Sequence, residues 1–196
     1  EIFTVQEAIE RFDLKEVNPA NSAYPIKKLD WLNGQYIQNA DVNYLASLLK
    51  PILEKADYIV DEDRLMKVVP ILQVRLKTLN DVVGMAGFFF DDWDAFTAPP
   101  QDILIQKKMD VENTRRVLEK SIPILEKLND FAHDTQYNAL KEFAKDIGLK
   151  NGQVFGTLRA TVTAQKVSPP TFETMEILGK SESIRRIQLA LSSLAE

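Results

Sequence analysis

The sequence lacks several residue types on which common kinds of site depend. It contains no cysteine and a single histidine, His133, among 196 residues. A disulfide framework, a thiolate nucleophile and a zinc site of cysteine and histidine are therefore excluded. No apolar run approaches the roughly 20 residues that a membrane-spanning helix requires. Because the chain begins at Glu1, with neither a methionine nor a basic signal-peptide head, we expect an excised piece of a longer protein. The lack of cysteine fits a cytoplasmic origin.

Recognisable catalytic signatures are missing as well. There is no glycine-rich phosphate loop of the Walker type, and no serine stands in an acyl-transfer motif with a histidine. Acidic residues cluster at Asp91, Asp92 and Asp94, but such clusters on helical proteins are most often solvated surface. We therefore expect no catalytic residue, no metal and no cofactor, and we interpret His133 as a surface or capping residue.

The composition is that of an ordinary globular protein, with 45% hydrophobic and 27% charged residues. The net charge of −5 argues against indiscriminate phosphate binding, which depends on an excess of lysine and arginine. The charge is uneven, because residues 141–196 carry a net charge of +2 and residues 1–140 a net charge of −7. This distribution favours the C-terminal part as the side that faces an anionic partner.

Apolar residues recur at helical spacing along most of the chain, and capping residues mark several helix starts. Thr4 and Glu7 form the pattern of a capping box, while Asp41, Asp61 and Asp110 each precede a periodic apolar segment. No alternating strand pattern of useful length is present. The sequence therefore predicts an all-α protein.

Interruptions of this pattern predict where helices bend or end. Pro70 and Pro123 lie inside otherwise helical segments and are expected to kink or divide them. Periodicity is lost from Gly84 to Pro100, a stretch that includes the run Phe88-Phe89-Phe90. We interpret it as a linker between two helical bundles. Its aromatic rings are expected to fill the junction rather than to stack on bases.

A helix near the C-terminal end carries one arginine among apolar residues. Asn151 is predicted to cap this helix, whose apolar face recurs every four residues at Val154, Leu158 and Val162. Arg159 projects near the edge of that face. An arginine in this position can reach a ligand.

A second helix start follows this arginine. Ser168 is predicted to cap it, Pro169-Pro170 suit its first positions, and Gly179 suits a left-handed stop. A helix N-terminus presents free N–H groups and a partial positive charge. We therefore interpret residues 150–179 as a place where nucleic acid binds.

Two parts of the chain resemble the C-terminal anticodon-binding region of bacterial glutamyl-tRNA synthetases. The longer resemblance lies in LKNGQVFGTLRATVT and VSPPTFETMEILGKSESIRRI. At the other end, EIFTVQEAIERFDLKEV and KKLDWLNGQYI resemble the segment that follows the catalytic half in that family. Between residues 56 and 140 the resemblance rests mainly on VRLKTL around Arg75.

The resemblance implies a domain organisation. It implies a leading segment from the stem-contact region at residues 1–40, a first anticodon-binding helical subdomain at 41–100 and a second at 101–196. Members of this class I family handle ATP with a His-Ile-Gly-His signature and a Lys-Met-Ser-Lys-Ser loop, and both are missing here. We therefore expect a non-catalytic part of a glutamate–tRNA ligase, with ATP and glutamate bound by a catalytic domain that this chain lacks.

The resemblance also implies a partner, which is the anticodon loop of glutamate tRNA. Arg75 matches the position that meets the first anticodon base in the family. The later bases are met at positions that match Arg159, Ser168, Pro169, Pro170 and Thr171. We expect a monomer that binds neither a membrane nor a metal.

Each of these residues has a purely structural alternative. Arg75 and Arg159 could pair with acidic neighbours on a helix surface. The second helix, from about Pro25, is expected to bury one stripe, and Trp31 is expected to belong to the core beside it. The stripe consists of Ile26, Leu29, Leu32 and Tyr36.

The last helix and the function as a whole also leave alternatives open. Lys180, Arg185 and Arg186 could hold phosphates or could form a solvated surface. The competing function is a helical protein–protein interaction module that kept the scaffold and lost RNA binding.

Overall fold

The computed structural model describes residues 3–17 and 25–194. These residues form α-helices joined by turns and two short 3-10 helices, with no β-strand in the described ranges, so the predicted all-α class is confirmed. None of the described helices is both long enough and apolar enough to cross a bilayer. In chain order the helices are α1 (Val5–Arg11), α2 (Ile26–Asn39), α3 (Val42–Lys55), α4 (Glu62–Gln73), α5 (Asp81–Phe90), α6 (Gln101–Leu104), α7 (Val111–Glu126), α8 (His133–Asp146), α9 (Asn151–Thr163), α10 (Thr171–Leu178) and α11 (Lys180–Ser193).

Helix starts with a strong local signal lie where the sequence predicts them. Thr4 and Glu7 form a reciprocal capping box at the start of α1. The side chains of Asp41, Asp61 and Asp110 each accept a hydrogen bond from the backbone N–H three residues further on. Caps of this kind stabilise a helix by about 1 kcal/mol each. These predictions are confirmed because they depend only on neighbouring residues.

The two internal prolines do not divide their helices. α4 continues through Pro70, and α7 continues through Pro123. A proline inside a helix costs about 3 kcal/mol, chiefly through one lost hydrogen bond and one clash. Each helix also buries leucines beyond its proline, Leu72 in α4 and Leu125 in α7. The prediction that these helices are divided is therefore wrong, because packing of their apolar faces outweighs the local cost, while a kink at either proline stays a prediction.

The predicted linker is in large part a buried helix. α5 includes both Gly84 and Gly87 and ends with the run Phe88-Phe89-Phe90, all three of which are buried. At Gly87 an added Cβ atom would lie 2.3 Å from the Tyr58 hydroxyl oxygen, so the small residue permits this contact. Two glycines weaken a helix by roughly 2 kcal/mol in total, and burial of three phenylalanines outweighs that. The interpretation of the rings as packing residues is confirmed, whereas the linker prediction is wrong for residues 84–90.

One continuous cluster of buried hydrophobic side chains extends from Ile37 in α2 to Leu194 after α11. In the C-terminal half α11 packs against α7, α9 and α10, and α10 also contacts α4 in the N-terminal half. The two halves therefore share buried surface. A division into subdomains at residues 41–100 and 101–196 stays a prediction.

α2 uses a different face from the one that its apolar pattern suggests. Its buried residues are Gly34 and Ile37, whereas Ile26, Leu29 and Tyr36 are exposed. Trp31 is 50% exposed, so the prediction that it belongs to the core is wrong. The physical reason is close backbone approach: a Cβ atom added at Gly34 would lie 3.5 Å from the Leu76 carbonyl oxygen.

α1 contributes no buried residue, and its Val5 and Ile9 side chains are 78% and 64% exposed. We expect deletion of residues 1–17 to leave the free energy of unfolding of the remaining chain within about 0.5 kcal/mol of the intact value. Urea denaturation followed by circular dichroism measures it. A decrease of more than about 1 kcal/mol would show that this segment packs on the core.

Candidate nucleic-acid interface

Arg75 lies in the loop of residues 74–80 between α4 and α5. α4 ends at Gln73, so Arg75 stands just beyond the helix rather than on its surface. Its backbone N–H donates to the Leu72 carbonyl oxygen at 2.7 Å, and its side chain is exposed. Within the described part of the chain the guanidinium makes no hydrogen bond or ion pair. The structural alternative, a partner on the surface of α4, is thus not found there.

Side chains of α2 hold both ends of the stretch that carries Arg75. The Asn33 side-chain amide donates to the Lys77 carbonyl oxygen at 2.7 Å. Five residues further along α2, the Gln38 amide donates to the Val74 carbonyl oxygen at 3.4 Å. The backbone on either side of Arg75 is therefore fixed to α2 while the arginine side chain is left available.

Gln73, the last residue of α4, strengthens the same junction from the opposite side. Its side-chain amide is buried and donates to the carbonyl oxygens of Ile37 at 2.9 Å and of Ala40 at 2.7 Å. These carbonyls belong to the C-terminal end of α2, where the last helical oxygens have no partner inside the helix. Gln73 thereby donates hydrogen bonds to carbonyl oxygens at the end of α2 and fixes the start of the Arg75 loop.

Asp81, at the start of α5, holds the other side of the loop. Its carboxylate accepts the backbone N–H groups of Lys77 and Thr78, both at 2.9 Å, and the Thr78 hydroxyl at 3.0 Å. Partial burial favours the protonated form, but these hydrogen bonds from Thr78 and Lys77 outweigh it and lower the pKa of Asp81. The carboxylate is therefore ionised at neutral pH and keeps the loop ordered.

A groove of about 550 Å³ lies between α2 and the Arg75 loop. Arg75 and Lys77 line one wall, and Lys27 and Trp31 line the other. The acidic side chain in its lining is Asp30, so the groove carries more positive than negative charge. An anionic, partly aromatic ligand is chemically suited to this surface.

Arg159 lies on the C-terminal half of α9 and is half-buried. Its Nη2 donates at the long distance of 3.5 Å to the Lys166 carbonyl oxygen, and its buried Nε has no partner among the described residues. The nearby carboxylate of Asp102 is bound instead by Lys166, at 2.7 Å. Arg159 also lines a cavity of about 230 Å³, together with Lys107.

The turn after α9 places its four candidate residues at different depths. Ser168 is 2% exposed and Pro169 is buried as well, whereas Pro170 and Thr171 are half-buried. The Ser168 hydroxyl donates to the Pro169 carbonyl oxygen at 3.4 Å. Pro170 and Thr171 are thus the more accessible of the four candidate residues.

Both predicted caps in this region are wrong. Pro170 occupies the cap position of α10 and makes no side-chain cap bond, because Ser168 stands two residues too early to reach the first amides. Asn151 is the first residue of α9, and its predecessor Lys150 donates its backbone N–H to the Gln153 side chain at 3.0 Å. The positive φ predicted at Gly179 is confirmed, at 81°.

α5 connects the two candidate regions. Asp81 at its first residue holds the Arg75 loop, and the Gly84 carbonyl oxygen accepts a hydrogen bond of 2.7 Å from the Gln165 side chain in the turn after α9. Three helical residues span about 4.5 Å along the axis. The loops that carry Arg75 and follow Arg159 are therefore anchored within one turn of the same helix.

The basic residues of α11 all donate hydrogen bonds to partners within the described residues. Lys180 donates to the carbonyl oxygens of Glu126 at 3.1 Å and Leu128 at 2.6 Å, beside the C-terminal end of α7. Arg185 binds Glu182, and Arg186 is fully buried. The sequence left two alternatives for these cations, phosphate binding and a solvated surface. Both are wrong for Arg186, because its side chain is fully buried.

His133 stands at the start of α8 and is partly exposed, with its Nδ1 2.8 Å from the Asp134 carboxylate. Its ring packs edge-on against Phe172, with the centroids 5.5 Å apart. Within the described ranges no three histidine, aspartate or glutamate side chains are grouped so that they could hold a metal ion. His133 thus has the surface position that the sequence predicts.

Comparison with known proteins gives one consistent result. Residues 44–191 match the family described as "Anticodon binding domain". The glutamate–tRNA ligase of Roseiflexus sp. (strain RS-1) is 36% identical over 200 residues, which cover 99% of this chain and 39% of that protein. The glutamate–tRNA ligase of Clostridium tetani (strain Massachusetts / E88) is 31% identical over 197 residues, covering 99% of this chain and 39% of that protein.

A solved structure shows the same fold. It is a glutamate tRNA ligase from Elizabethkingia meningosepticum CCUG26117 in complex with its amino acid. The TM-score is 0.80 at 24% sequence identity, over 98% of this chain and 37% of that chain. The chain spans about two fifths of the length of the curated relatives it matches.

Proposed function

This chain belongs to the anticodon-binding domain family, and from that premise we propose that it binds the anticodon loop of glutamate tRNA. One observation supports the proposal most directly. Arg75 presents an exposed guanidinium, unpaired within the described residues, on a loop that side chains of α2 and α5 hold in place. A free cationic fork on a fixed backbone is suited to reading the edge of an exposed base.

The physical fit to an anticodon loop has two parts. Such loops are single-stranded, so their bases can be splayed out and read on their pairing edges. The Arg75 loop is already ordered in the protein, so less conformational entropy is lost when the RNA binds. In this proposal Arg75 reads the first anticodon base.

The later anticodon bases are assigned to the second region. Arg159 lines its cavity with a guanidinium that makes one long hydrogen bond, and Pro170 and Thr171 are the half-buried residues of the adjoining turn. Ser168 and Pro169, being buried, shape this turn from within. The common anchoring on α5 keeps the two regions at a fixed separation, as the recognition of neighbouring bases requires.

The proposal extends to the protein of which this chain would be a part. The curated relatives are glutamate–tRNA ligases of more than twice this length. We propose that ATP and glutamate are bound by a catalytic domain outside this chain, and that this chain brings glutamate tRNA to it. The chain itself is then non-catalytic and cytoplasmic.

Titration with purified tRNA tests the proposal. Fluorescence anisotropy at a fixed, moderate salt concentration should show tighter binding of glutamate tRNA than of an unrelated elongator tRNA. Equal affinities for both would mean that only phosphates are contacted and that the anticodon is not read. Absence of binding to either tRNA would favour the competing function, a protein–protein interaction module.

Exchange of Arg159 for lysine is expected to weaken binding of glutamate tRNA by about 1 kcal/mol. Lysine keeps the positive charge but loses the planar fork, so the decrease isolates the directional hydrogen bonds. Arg116→Lys on the exposed face of α7 is the matched control and should leave affinity unchanged. If Arg159→Lys binds as tightly as Arg116→Lys, with an unchanged circular dichroism spectrum, Arg159 makes no directional contact.

A further inference from the structure

Trp31 is a large aromatic residue that lies on the surface of a protein with a continuous core. Its side chain is 50% exposed, although the chain offers a large hydrophobic cluster that could have buried it. Burial of a tryptophan is worth several kcal/mol, so its exposure forgoes a substantial stabilisation. We therefore ask which ligand the surface around this ring could bind.

The groove between α2 and the Arg75 loop places this ring beside several positive charges. Lys27, Trp31 and Gln35 follow one another at spacings of four residues and therefore form one row along α2. The opposite wall is the loop that carries Arg75 and Lys77. At about 550 Å³ the groove lies within the range of ~300–1,000 Å³ that is typical of clefts for small ligands.

We propose that the indole of Trp31 is the stacking platform for the base whose edge Arg75 reads. This inference rests on the proposed function and names a second specificity-determining residue at the same groove. A flat base in the groove can place its face on Trp31 and its pairing edge toward Arg75, while Lys27 and Lys77 lie near the adjoining phosphates. Stacking fixes the plane of the base, and the guanidinium then distinguishes its acceptors.

The charge of the groove favours RNA over a protein partner. A protein segment that covered Trp31 would also remove Lys27, Arg75 and Lys77 from water, which is costly without matching carboxylates. A nucleotide brings its own negative charge together with a π-face. Both features of the groove are then used by one ligand.

The experiment uses the intact chain and two glutamate tRNA transcripts, one with cytosine and one with an abasic nucleotide at the first anticodon position. Trp31→Ala should raise the Kd for the cytosine transcript on the order of tenfold. For the abasic transcript, the variant and the wild type should bind within about twofold of each other, because the stacking partner is gone. Circular dichroism checks that each variant is folded.

Tyr36→Ala is the matched control, since Tyr36 is an exposed aromatic residue of α2 that lines a different groove with Tyr44. It should leave the Kd for both transcripts unchanged. A direct readout comes from a Trp93→Phe chain, in which Trp31 is the only tryptophan. Its emission should be quenched by the cytosine transcript and not by the abasic one.

Three outcomes are decisive. If Trp31→Ala binds the cytosine transcript as tightly as Tyr36→Ala does, the stacking role is wrong while the proposed function stands. If Trp31→Ala weakens both transcripts equally, Trp31 acts elsewhere than on this base, and the inference is again wrong. If the wild type does not distinguish glutamate tRNA from an unrelated tRNA, the proposed function fails first and takes the inference with it.

Discussion

Replacing Arg186 by methionine is expected to lower the free energy of unfolding by about 3–5 kcal/mol. This is a large fraction of the ~5–15 kcal/mol that stabilises a typical domain. Methionine is similarly long and flexible, so a simple loss of volume contributes little. The expected loss comes from the partners that Arg186 leaves behind.

Those partners come from three separate parts of the chain. Arg186 is fully buried and donates to the Glu182 carboxylate at 2.6 Å and to the Val162 carbonyl oxygen at 2.6 Å. A third bond of 3.3 Å reaches the Phe88 carbonyl oxygen, and the guanidinium carbon lies 4.1 Å from the Phe96 ring centre. Val162 and Phe88 lie in the last turns of α9 and α5, where carbonyl groups lack helical partners.

The loss of stability caused by Arg186→Met should depend on pH, because Glu182 is ionisable. Burial alone would raise the pKa of Glu182, but hydrogen bonds from Arg185 and Arg186 outweigh it and lower the pKa below its ordinary value. A lowered pKa in the folded state contributes stability above the unfolded pKa of about 4.3 and loses it as pH falls through the folded value. The wild type should therefore lose more stability on acidification below about pH 4.3 than Arg186→Met does.

Urea denaturation at pH 7 and at acidic pH measures both parts of this prediction. Arg116→Met, on the exposed face of α7, is the control and should change stability by less than about 0.5 kcal/mol. A loss below about 1 kcal/mol for Arg186→Met at pH 7 would mean that Glu182 and the two carbonyl groups find other partners.

Arg75→Gln is expected to abolish a preference for cytosine over uracil at the first anticodon base. A guanidinium offers only donors, and cytosine presents two adjacent acceptors, O2 and N3, on its pairing edge. Uracil replaces the second acceptor with an N–H group that opposes the donor. A bidentate base contact discriminates by ~1–3 kcal/mol, whereas glutamine supplies both a donor and an acceptor and accommodates either base.

The measurement compares the affinities of two glutamate tRNAs that differ only at that base. Lys77→Gln is the matched control, because it removes one positive charge from the same loop and groove. It should weaken both tRNAs equally and leave their ratio unchanged. An unaltered ratio in Arg75→Gln would show that Arg75 holds phosphate and does not read the base.

The parts of the fold that the sequence predicts correctly depend on neighbouring residues. Asp41, Asp61 and Asp110 cap helices because each side chain reaches an amide three residues away. α5 is missed because its glycines weaken a helix locally, while the burial of Phe89 depends on distant packing. Contacts between residues far apart in sequence cannot be predicted from a local pattern.

The candidate site divides in the same way. Arg75 is a candidate through resemblance, and Arg159 through both its helix pattern and the resemblance. Asn33 and Gln38 are missed because they act on backbone groups some 40 residues away in sequence. Trp31 is misassigned because its apolar neighbours suggest a buried face. For Arg186 a usable signal exists, since Glu182 precedes it by four residues, the spacing of an ion pair along a helix.

The anchoring of both candidate loops on α5 has a geometric consequence. Asp81 and Gly84 lie within one turn of the same helix, so a displacement of α5 carries both anchoring points together. Their separation is then a fixed length that thermal motion of the surrounding helices changes little. If the chain binds an anticodon loop as proposed, an RNA loop with one extra nucleotide between the two recognised bases is expected to bind more weakly because of its spacing, even with every base correct.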